Sequence, residues 1–298
     1  MFSHPGRILF QLSLILALGL SACASFVGTP ATVTPPPPTF TPLPPTPTPP
    51  PLAATVNGAW ITEKELQAEV DRYRTAQQNL GNDVSAQDAA KVALDDLISQ
   101  VLLAQAARTD GFELTDADLG SRIDALGSDL GGTDALAKWQ SDHGYTDESF
   151  RSALKRDAEA AWMRDKIIAA VPNTAEQVHA QQILLYNEDA ARQVLDQLNA
   201  GANFADLAAL YDPNAAGELG WFPRGYLLEP ALEEAAFNLE PGQHSDVIKT
   251  EVGYHILMVL ERDPQHPLSP DAYLVMQEKA LSDWLAQKRT ESDIVLAP

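Results

Sequence analysis

The residues that could do chemistry in this chain are few, and their types exclude several kinds of site. The chain has six histidines and a single cysteine. Because Cys23 is the only cysteine, an internal disulfide framework and a cysteine-rich metal centre are excluded. The histidines lack the short spacings of a metal-binding motif, so we predict no metal and no cofactor. They are His4, His143, His179, His244, His255 and His266.

His255 is the histidine with the most informative surroundings. It stands in Gly253-Tyr254-His255-Ile256, at the start of an apolar stretch that favours a β-strand. A histidine in a strand is often only a satisfied structural residue, whereas a histidine at the floor of a pocket can hold or polarise a bound group. The residue type alone leaves both interpretations open.

Cys23 follows a segment typical of exported proteins. A short start containing Arg7 precedes an apolar run from Ile8 to Leu20. Such a run is too short to cross a ~30 Å hydrocarbon core as a helix, but it fits the apolar part of a secretory signal. The run ends in Leu20-Ser21-Ala22-Cys23, which resembles the bacterial lipobox. We therefore expect residues 1–22 to be a lipoprotein signal peptide, Cys23 to be lipidated, and the protein to be extracytoplasmic and anchored to the cell membrane. The alternative is an ordinary small buried cysteine.

The next segment, residues 23–53, is rich in proline and threonine. Proline lacks an amide donor and fixes φ, so neither helix nor sheet is expected here. We predict a disordered, extended linker between the anchor and the folded part.

The charge balance narrows the choice of partners. The chain carries 41 acidic and 20 basic residues, a formal net charge of −21. A polyanion would be repelled by this charge, so nucleic acid is not an expected partner.

Two kinds of pattern follow the linker. Residues 54–173 begin with a short strand at 56–61 and continue as successive amphipathic helices, with capping pairs Thr62/Glu65 and Ser85/Asp88 at the first two helix starts. Residues 174–264 mix short strands and helices, and residues 265–298 hold a last helix that begins after Ser269. The predicted fold class is α+β, with an all-α N-terminal module and a small α/β domain.

Several motifs of the α/β domain occur in the order and near the spacing of the parvulin family of prolyl isomerases. They are Phe204-Ala205-Asp206-Leu207-Ala208, Gly217-Glu218-Leu219-Gly220-Trp221-Phe222, Arg224-Gly225, Glu233-Glu234-Ala235-Ala236-Phe237, Pro241-Gly242 and Gly253-Tyr254-His255-Ile256. The helical part resembles the chaperone region of SurA- and PrsA-type foldases, in which the last helix packs back on the N-terminal helices. The resemblance implies a chaperone-like module completed by the C-terminal helix, and a parvulin-like domain at 174–264.

The resemblance also implies roles for particular residues. His255 matches an active-site histidine of the family, Thr250 matches the hydroxyl that supports it, and Asp212 takes the place of an acidic or thiol residue that faces the amide. Leu219 and Phe237 match positions that line the proline pocket. The family's ring-binding Met and Phe are replaced by Leu227 or Leu228 and by Leu232.

One position departs from the family pattern. Gln182 stands where the family has its other active-site histidine. His179 lies three residues earlier, so on a strand its side chain is expected on the opposite face. The isomerase activity implied by the resemblance is therefore expected to be reduced.

Three functions remain open at this point. The first is a membrane-anchored foldase that isomerises X-Pro bonds and chaperones unfolded or partly folded exported polypeptides. The second is a holdase whose parvulin domain is catalytically weak or inactive. The third, a solute-binding lipoprotein, predicts two lobes built of repeated βα units, and the sequence lacks that pattern.

Overall fold

The structure, a computed structural model, describes residues 50–297. Cys23, the signal segment and almost all of the Pro/Thr-rich linker lie outside the described residues. Among the helices of residues 50–297, none combines the length and the apolar character that a membrane crossing requires.

The chain enters the described part as a β-hairpin. Strands β1 (Leu52–Val56) and β2 (Ala59–Thr62) are antiparallel. The two residues between them, Asn57 and Gly58, have φ values of 50° and 80°. Positive φ at both central residues of a two-residue turn matches the twist of the flanking strands, and Asn-Gly is the sequence that adopts it most readily.

Five helices follow the hairpin. They are α1 (Glu63–Asn79), α2 (Ala86–Thr109), α3 (Asp116–Leu130), α4 (Thr133–Asp142) and α5 (Asp147–Ala169). The predicted caps are confirmed: the Thr62 hydroxyl accepts from the Glu65 amide, and the Ser85 hydroxyl accepts from the Asp88 amide, both at 3.1 Å. Each cap satisfies an amide that has no partner within its helix.

The second part of the chain is built on a four-stranded antiparallel sheet. Its strands are β3 (Thr174–Leu185), β4 (Glu218–Pro223), β5 (Ile248–Lys249) and β6 (Tyr254–Pro267), in the order β4-β3-β6-β5. Helices α6 (Glu188–Asn199) and α7 (Phe204–Tyr211) cover one face, and α8 (Pro230–Asn238) covers the other.

Alternation along the central strands decides which side chains meet which helices. On β3, Val178 and Ala180 face α8, whereas Ile183 and Leu185 face α6 and α7. Since side chains alternate along a strand, Gln182 belongs to the α8 face. The candidate site lies on that face.

The chain then returns to the first module. Helix α9 (Pro270–Glu291) places Trp284 and Leu285 against Leu103 of α2 and Met163 of α5. Strand β7 (Ile294–Leu296) pairs with β1, so the first module contains a three-stranded sheet in the order β2-β1-β7. The predicted fold class is confirmed, including a helical module that the C-terminal helix completes. The start of that module differs from the prediction. Strand β1 begins at Leu52, inside the predicted linker, because it pairs with β2 and β7, and residues 56–61 contain a turn between two strands.

Candidate active site

His255 lies at the centre of the candidate site, bonded at both ring nitrogens. Its Nδ1 is 2.9 Å from Oε1 of Gln182. Its Nε2 is 2.9 Å from Oγ1 of Thr250. Strands β3 and β6 pair with Leu184 opposite His255 and Gln182 opposite Leu257, which makes Gln182 and His255 diagonal neighbours on one face. The structure therefore brings three of the four predicted catalytic residues into one hydrogen-bonded row.

The surroundings of Thr250 fix the protonation of the row. Its hydroxyl oxygen accepts from the amides of Val252, at 3.1 Å, and Gly253, at 3.3 Å. The hydroxyl hydrogen has two acceptors in reach, Nε2 of His255 at 2.9 Å and the carbonyl of Gly253 at 3.5 Å, and the shorter contact favours donation to Nε2. An imidazole that accepts at Nε2 and donates from Nδ1 to the carbonyl oxygen of Gln182 is neutral. The row thus has one consistent direction of donation.

Burial favours the same state. The His255 side chain is only 3% exposed. Burial lowers the pKa of His255 from the ordinary value of 6.5, because the cation would lose its hydration, and the nearby negative charge of Glu229 opposes this only in part. The floor of the site is a neutral, desolvated set of hydrogen bonds.

This environment predicts how the site responds to pH. We expect the His255 ring to reach the midpoint of its titration only below pH 6.5, with isomerase activity falling through the same lower range. In that range the unfolded chain binds a proton that the folded chain does not, so this residue's contribution to stability decreases as the pH falls below 6.5. Ring nitrogen chemical shifts, assigned with a His255→Gln variant, measure the titration; a midpoint at or above 6.5 would contradict the account.

The apolar residues predicted for the pocket fall into three environments. Leu232 and Phe237 of α8 are buried in the core, at 6% and 3% exposure, beside Phe222 and Leu257. Leu219 and Leu227 are half-buried at the edge of that cluster. Leu228 is 98% exposed and lies outside the cluster, so the structure does not place it with the other four.

The fourth predicted catalytic residue, Asp212, reaches the site through the backbone. Its carboxylate accepts hydrogen bonds from the amides of Asn214, Ala215 and Gly217 at 3.1–3.2 Å, and these bonds hold its pKa below the ordinary range. The backbone carbonyl of Gly217 in turn accepts a hydrogen bond from the backbone N–H of Gln182 at 2.8 Å. Asp212 thus folds the loop that touches the backbone of Gln182.

Two further residues, which the sequence did not single out as functional, also hold loops of the site through contacts with the backbone. A Cβ atom added at Gly217 would lie 1.8 Å from the carbonyl oxygen of Gln182, so only glycine fits there. Glu233 accepts from the amides of Gly225 at 2.7 Å, Tyr226 at 3.0 Å and Leu227 at 3.3 Å, which ties the loop that carries Leu227 to α8. Glu233 stands in one of the family motifs, but the motif does not show that its carboxylate holds the preceding loop.

His179 is engaged elsewhere, as its strand position predicted. Its Nε2 is 2.6 Å from a carboxylate oxygen of Glu218, and its ring stacks on Trp221 at 5.4 Å. Trp221 stacks in turn on His266 at 4.0 Å. Within residues 50–297 no group of three His, Cys, Asp or Glu side chains is placed to hold a metal ion.

Two family models match this architecture. One, described as a PPIC-type PPIase domain, matches residues 167–261, and the other, described as a SurA-like N-terminal domain, matches residues 48–144. The first match contains the complete row of Gln182, Thr250 and His255. The second contains β1, β2 and the helices α1 to α4.

Curated relatives carry related names. The foldase protein PrsA of Halalkalibacterium halodurans is 39% identical over 39% of this chain and 34% of that protein. The foldase protein PrsA of Caldanaerobacter subterraneus is 28% identical over 69% of this chain and 72% of that protein. The chaperone SurA of Chromobacterium violaceum is 31% identical over 42% of this chain and 34% of that protein.

The matches therefore span between about a third and three quarters of the relatives' own lengths. The matches agree with the fold, since the SurA-like match falls on the helical module. They also agree with the site, since the PPIase match contains the strands that bring Gln182 and His255 together. Residues 167–261 accordingly match the PPIC-type PPIase domain family, residues 48–144 match the SurA-like N-terminal domain family, and the chain is similar in sequence to PrsA and SurA foldases.

Proposed function

We propose that this protein is a membrane-anchored extracytoplasmic foldase that catalyses cis–trans isomerisation of X-Pro bonds and chaperones exported polypeptides. The observation that carries the proposal is the row Gln182–His255–Thr250, which lies beside the apolar cluster of α8 within the matched isomerase domain. The domain boundaries proposed for these activities are 54–173 with 265–298 for the chaperone module and 174–264 for the isomerase domain.

Isomerisation of an X-Pro bond requires few catalytic groups. Rotation about a peptide bond is opposed by a barrier of ~18–20 kcal/mol because resonance must be broken. No covalent bond forms, so the site needs neither nucleophile nor metal. A catalyst can hold the proline ring in an apolar pocket and take the amide out of water, which hydrates the planar, more polar amide better than the twisted one. Leu219, Leu227, Leu232 and Phe237 would supply the apolar walls.

The neutral row supplies the polar part of such a site. A charged histidine would stabilise the planar amide, whose oxygen carries the larger negative charge, more than the twisted one and would oppose the rotation. A neutral imidazole fixed by Gln182 and Thr250 avoids this and holds the pocket in one shape. The hydrogen bonds of His255 are made before substrate arrives, so no reorganisation is needed during the rotation. In this proposal His255, Gln182 and Thr250 form the floor, and Asp212 positions Gln182 through Gly217.

A groove in the helical module supports the chaperone half of the proposal. Its volume is about 780 Å³, and it is lined mainly by residues of α1, of α5 and of the α4–α5 loop. The Trp60 side chain is 54% exposed at this groove, and the Arg72 guanidinium lies 5.6 Å from the centre of the Tyr145 ring. Exposed aromatic surface beside cations suits an unfolded, mixed-composition polypeptide.

One pair of substitutions tests both halves on the same chain. The client is an unfolded protein whose refolding is limited by a proline, and both the slow refolding rate and the light scattering of aggregates are recorded. We expect His255→Ala to remove the acceleration of the slow phase and to leave the suppression of aggregation. Trp60→Ala should weaken suppression and preserve the acceleration for a short peptide. Equal loss of both activities in either folded variant would contradict the division of roles.

The second candidate function, a holdase with a weak or inactive isomerase domain, is favoured by one observation. Gln182 stands where the parvulin pattern has a histidine. A holdase would suppress aggregation as strongly as the proposed foldase, and it would leave the slow phase at its uncatalysed rate.

The anchor is the part of the proposal that rests on sequence alone. Cys23, at the end of the apolar run, is proposed to become the lipidated N-terminus. We expect Cys23→Ala to leave the protein unprocessed by the lipoprotein route and without acyl mass, with its isomerase domain unaffected. Intact-mass analysis of membrane-extracted protein measures this, and an unmodified Cys23 in the mature chain would rule the anchor out.

A further inference from the structure

Glu229 is an acidic residue of the isomerase domain whose charge is not used by the fold. It is the residue that immediately precedes α8, and it lies half-buried between Leu228 and Pro230. Its side chain makes no capping bond to the helix. The positive end of the α8 dipole favours a negative charge at this position.

The basic residues of the domain are engaged away from Glu229. Between residues 174 and 267 there are four of them. Arg192 pairs with Glu188 at 2.6 Å, Arg224 and Arg262 both face Glu176 at 3.7–3.9 Å, and Lys249 lies over the Tyr254 ring at 5.8 Å. Lys279 of α9 lies against Gly225 of the loop that contains Glu229, but it pairs with Asp283 at 3.0 Å. Within residues 50–297 no lysine or arginine forms a salt bridge with Glu229 at 4 Å or less.

Glu229 lies in the chain between Leu227 and Leu232, two of the residues proposed for the proline pocket. Helix α8 lies over the face of the sheet that carries His255, and its first turn contributes Leu232 to the apolar cluster. The negative charge of Glu229 raises the pKa of His255 against the larger lowering effect of burial, which agrees with this placement. By contrast, the carboxylate of Glu233 is taken up by the loop amides, and Glu234 is exposed on the outer side of α8.

From this placement we propose that Glu229 is a specificity-determining residue that selects X-Pro segments with a cationic side chain, lysine or arginine, next to the proline. A lysine or arginine neighbour of a proline ring seated between Leu227 and Leu232 would bring its charge to the unpaired carboxylate at the lip. An acidic neighbour would be repelled by the same charge. This inference rests on the proposed function and adds the substrate class.

The test uses the full chain and three sets of proline tetrapeptides. They carry lysine, alanine or glutamate next to the proline, and each set has one version with the residue before the proline and one with it after. Dissociation constants come from chemical-shift titration of the His255 ring, and kcat/KM comes from exchange spectroscopy. We expect the better lysine peptide to bind roughly three- to tenfold more tightly than its glutamate counterpart at low salt, with the difference shrinking as salt is added.

The variants separate Glu229 from the overall charge of the chain. Glu229→Gln should remove the preference and Glu229→Lys should reverse it. Glu234→Gln, on the same helix and with the same change in net charge, should keep it. Equal affinities of lysine and glutamate peptides in the wild type, or a preference that survives Glu229→Gln, would overturn the inference. Failure of the wild type to accelerate the alanine peptide is a separate outcome: it would sink the isomerase proposal, while the binding preference would still decide the role of Glu229.

Discussion

Replacing Gly217 by alanine is expected to destabilise the isomerase domain by about 3 kcal/mol or more and to remove its activity. The added Cβ would lie 1.8 Å from the carbonyl oxygen of Gln182, and Gly217 has a φ of 70° that alanine adopts only with strain. The contact is with backbone, so no side chain can rotate away. Relief requires β3 and the loop of Asp212 to separate, which breaks the 2.8 Å bond from the Gln182 amide to Gly217.

Gly201→Ala is the matched control. Gly201 has a φ of 95°, and a Cβ added there meets no atom within 4 Å. Its substitution should cost only the backbone strain, about 1 kcal/mol. Urea unfolding of both variants, followed by the signal of the buried core, measures the difference. Similar free energies of unfolding for the two variants would show that Gly217 does not lie as close to the Gln182 carbonyl as the 1.8 Å contact implies.

The second large effect concerns Gln182. Gln182→Leu removes the acceptor of the His255 Nδ1 hydrogen and leaves a buried donor unpaired, at a cost of ~1–3 kcal/mol. We expect kcat/KM to fall by tenfold or more, since ~1.4 kcal/mol corresponds to a factor of ten. Gln182→His restores the family pattern and should raise kcat/KM toward an Ala-Pro peptide by about tenfold.

The matched control for this series is Gln181→His. Gln181 is the preceding residue of β3 and pairs with Met258, so its side chain lies on the α6–α7 face. The same substitution there should leave kcat/KM unchanged once folding is verified by circular dichroism. If Gln182→His and Gln181→His changed activity equally, the row of hydrogen bonds would not be the floor of the site.

The sequence predicts those parts of the structure that local chemistry decides. The caps of α1 and α2 follow from hydroxyl residues three positions before an acidic residue. The shared face of Gln182 and His255 follows from period-two alternation together with the family motifs. Both signals are short-range, so they survive without knowledge of the tertiary contacts.

Long-range pairing decides what the sequence could not predict. Strand β7 is only Ile294–Leu296, and it is a strand because β1, at the other end of the described chain, offers it an edge. The first half of β3 reads as polar, with Thr174 and Gln177, and it is extended because it pairs with the long strand β6. Leu228 is exposed in a loop whose amides of Tyr226 and Leu227 are bonded to Glu233 of α8. This tertiary contact cannot be predicted from residue types.

The acceleration of cis–trans exchange in an Ala-Pro tetrapeptide by the full chain is the most direct test of the account. Exchange is measured by two-dimensional NMR at pH 7.5, with the wild type, His255→Ala and Gln182→His compared at equal concentration. The account predicts that the wild type accelerates exchange, that Gln182→His accelerates it about tenfold more, and that His255→Ala falls toward the uncatalysed rate. If the wild type and Gln182→His both left exchange at the uncatalysed rate while folded and able to bind the peptide, the isomerase account would be contradicted.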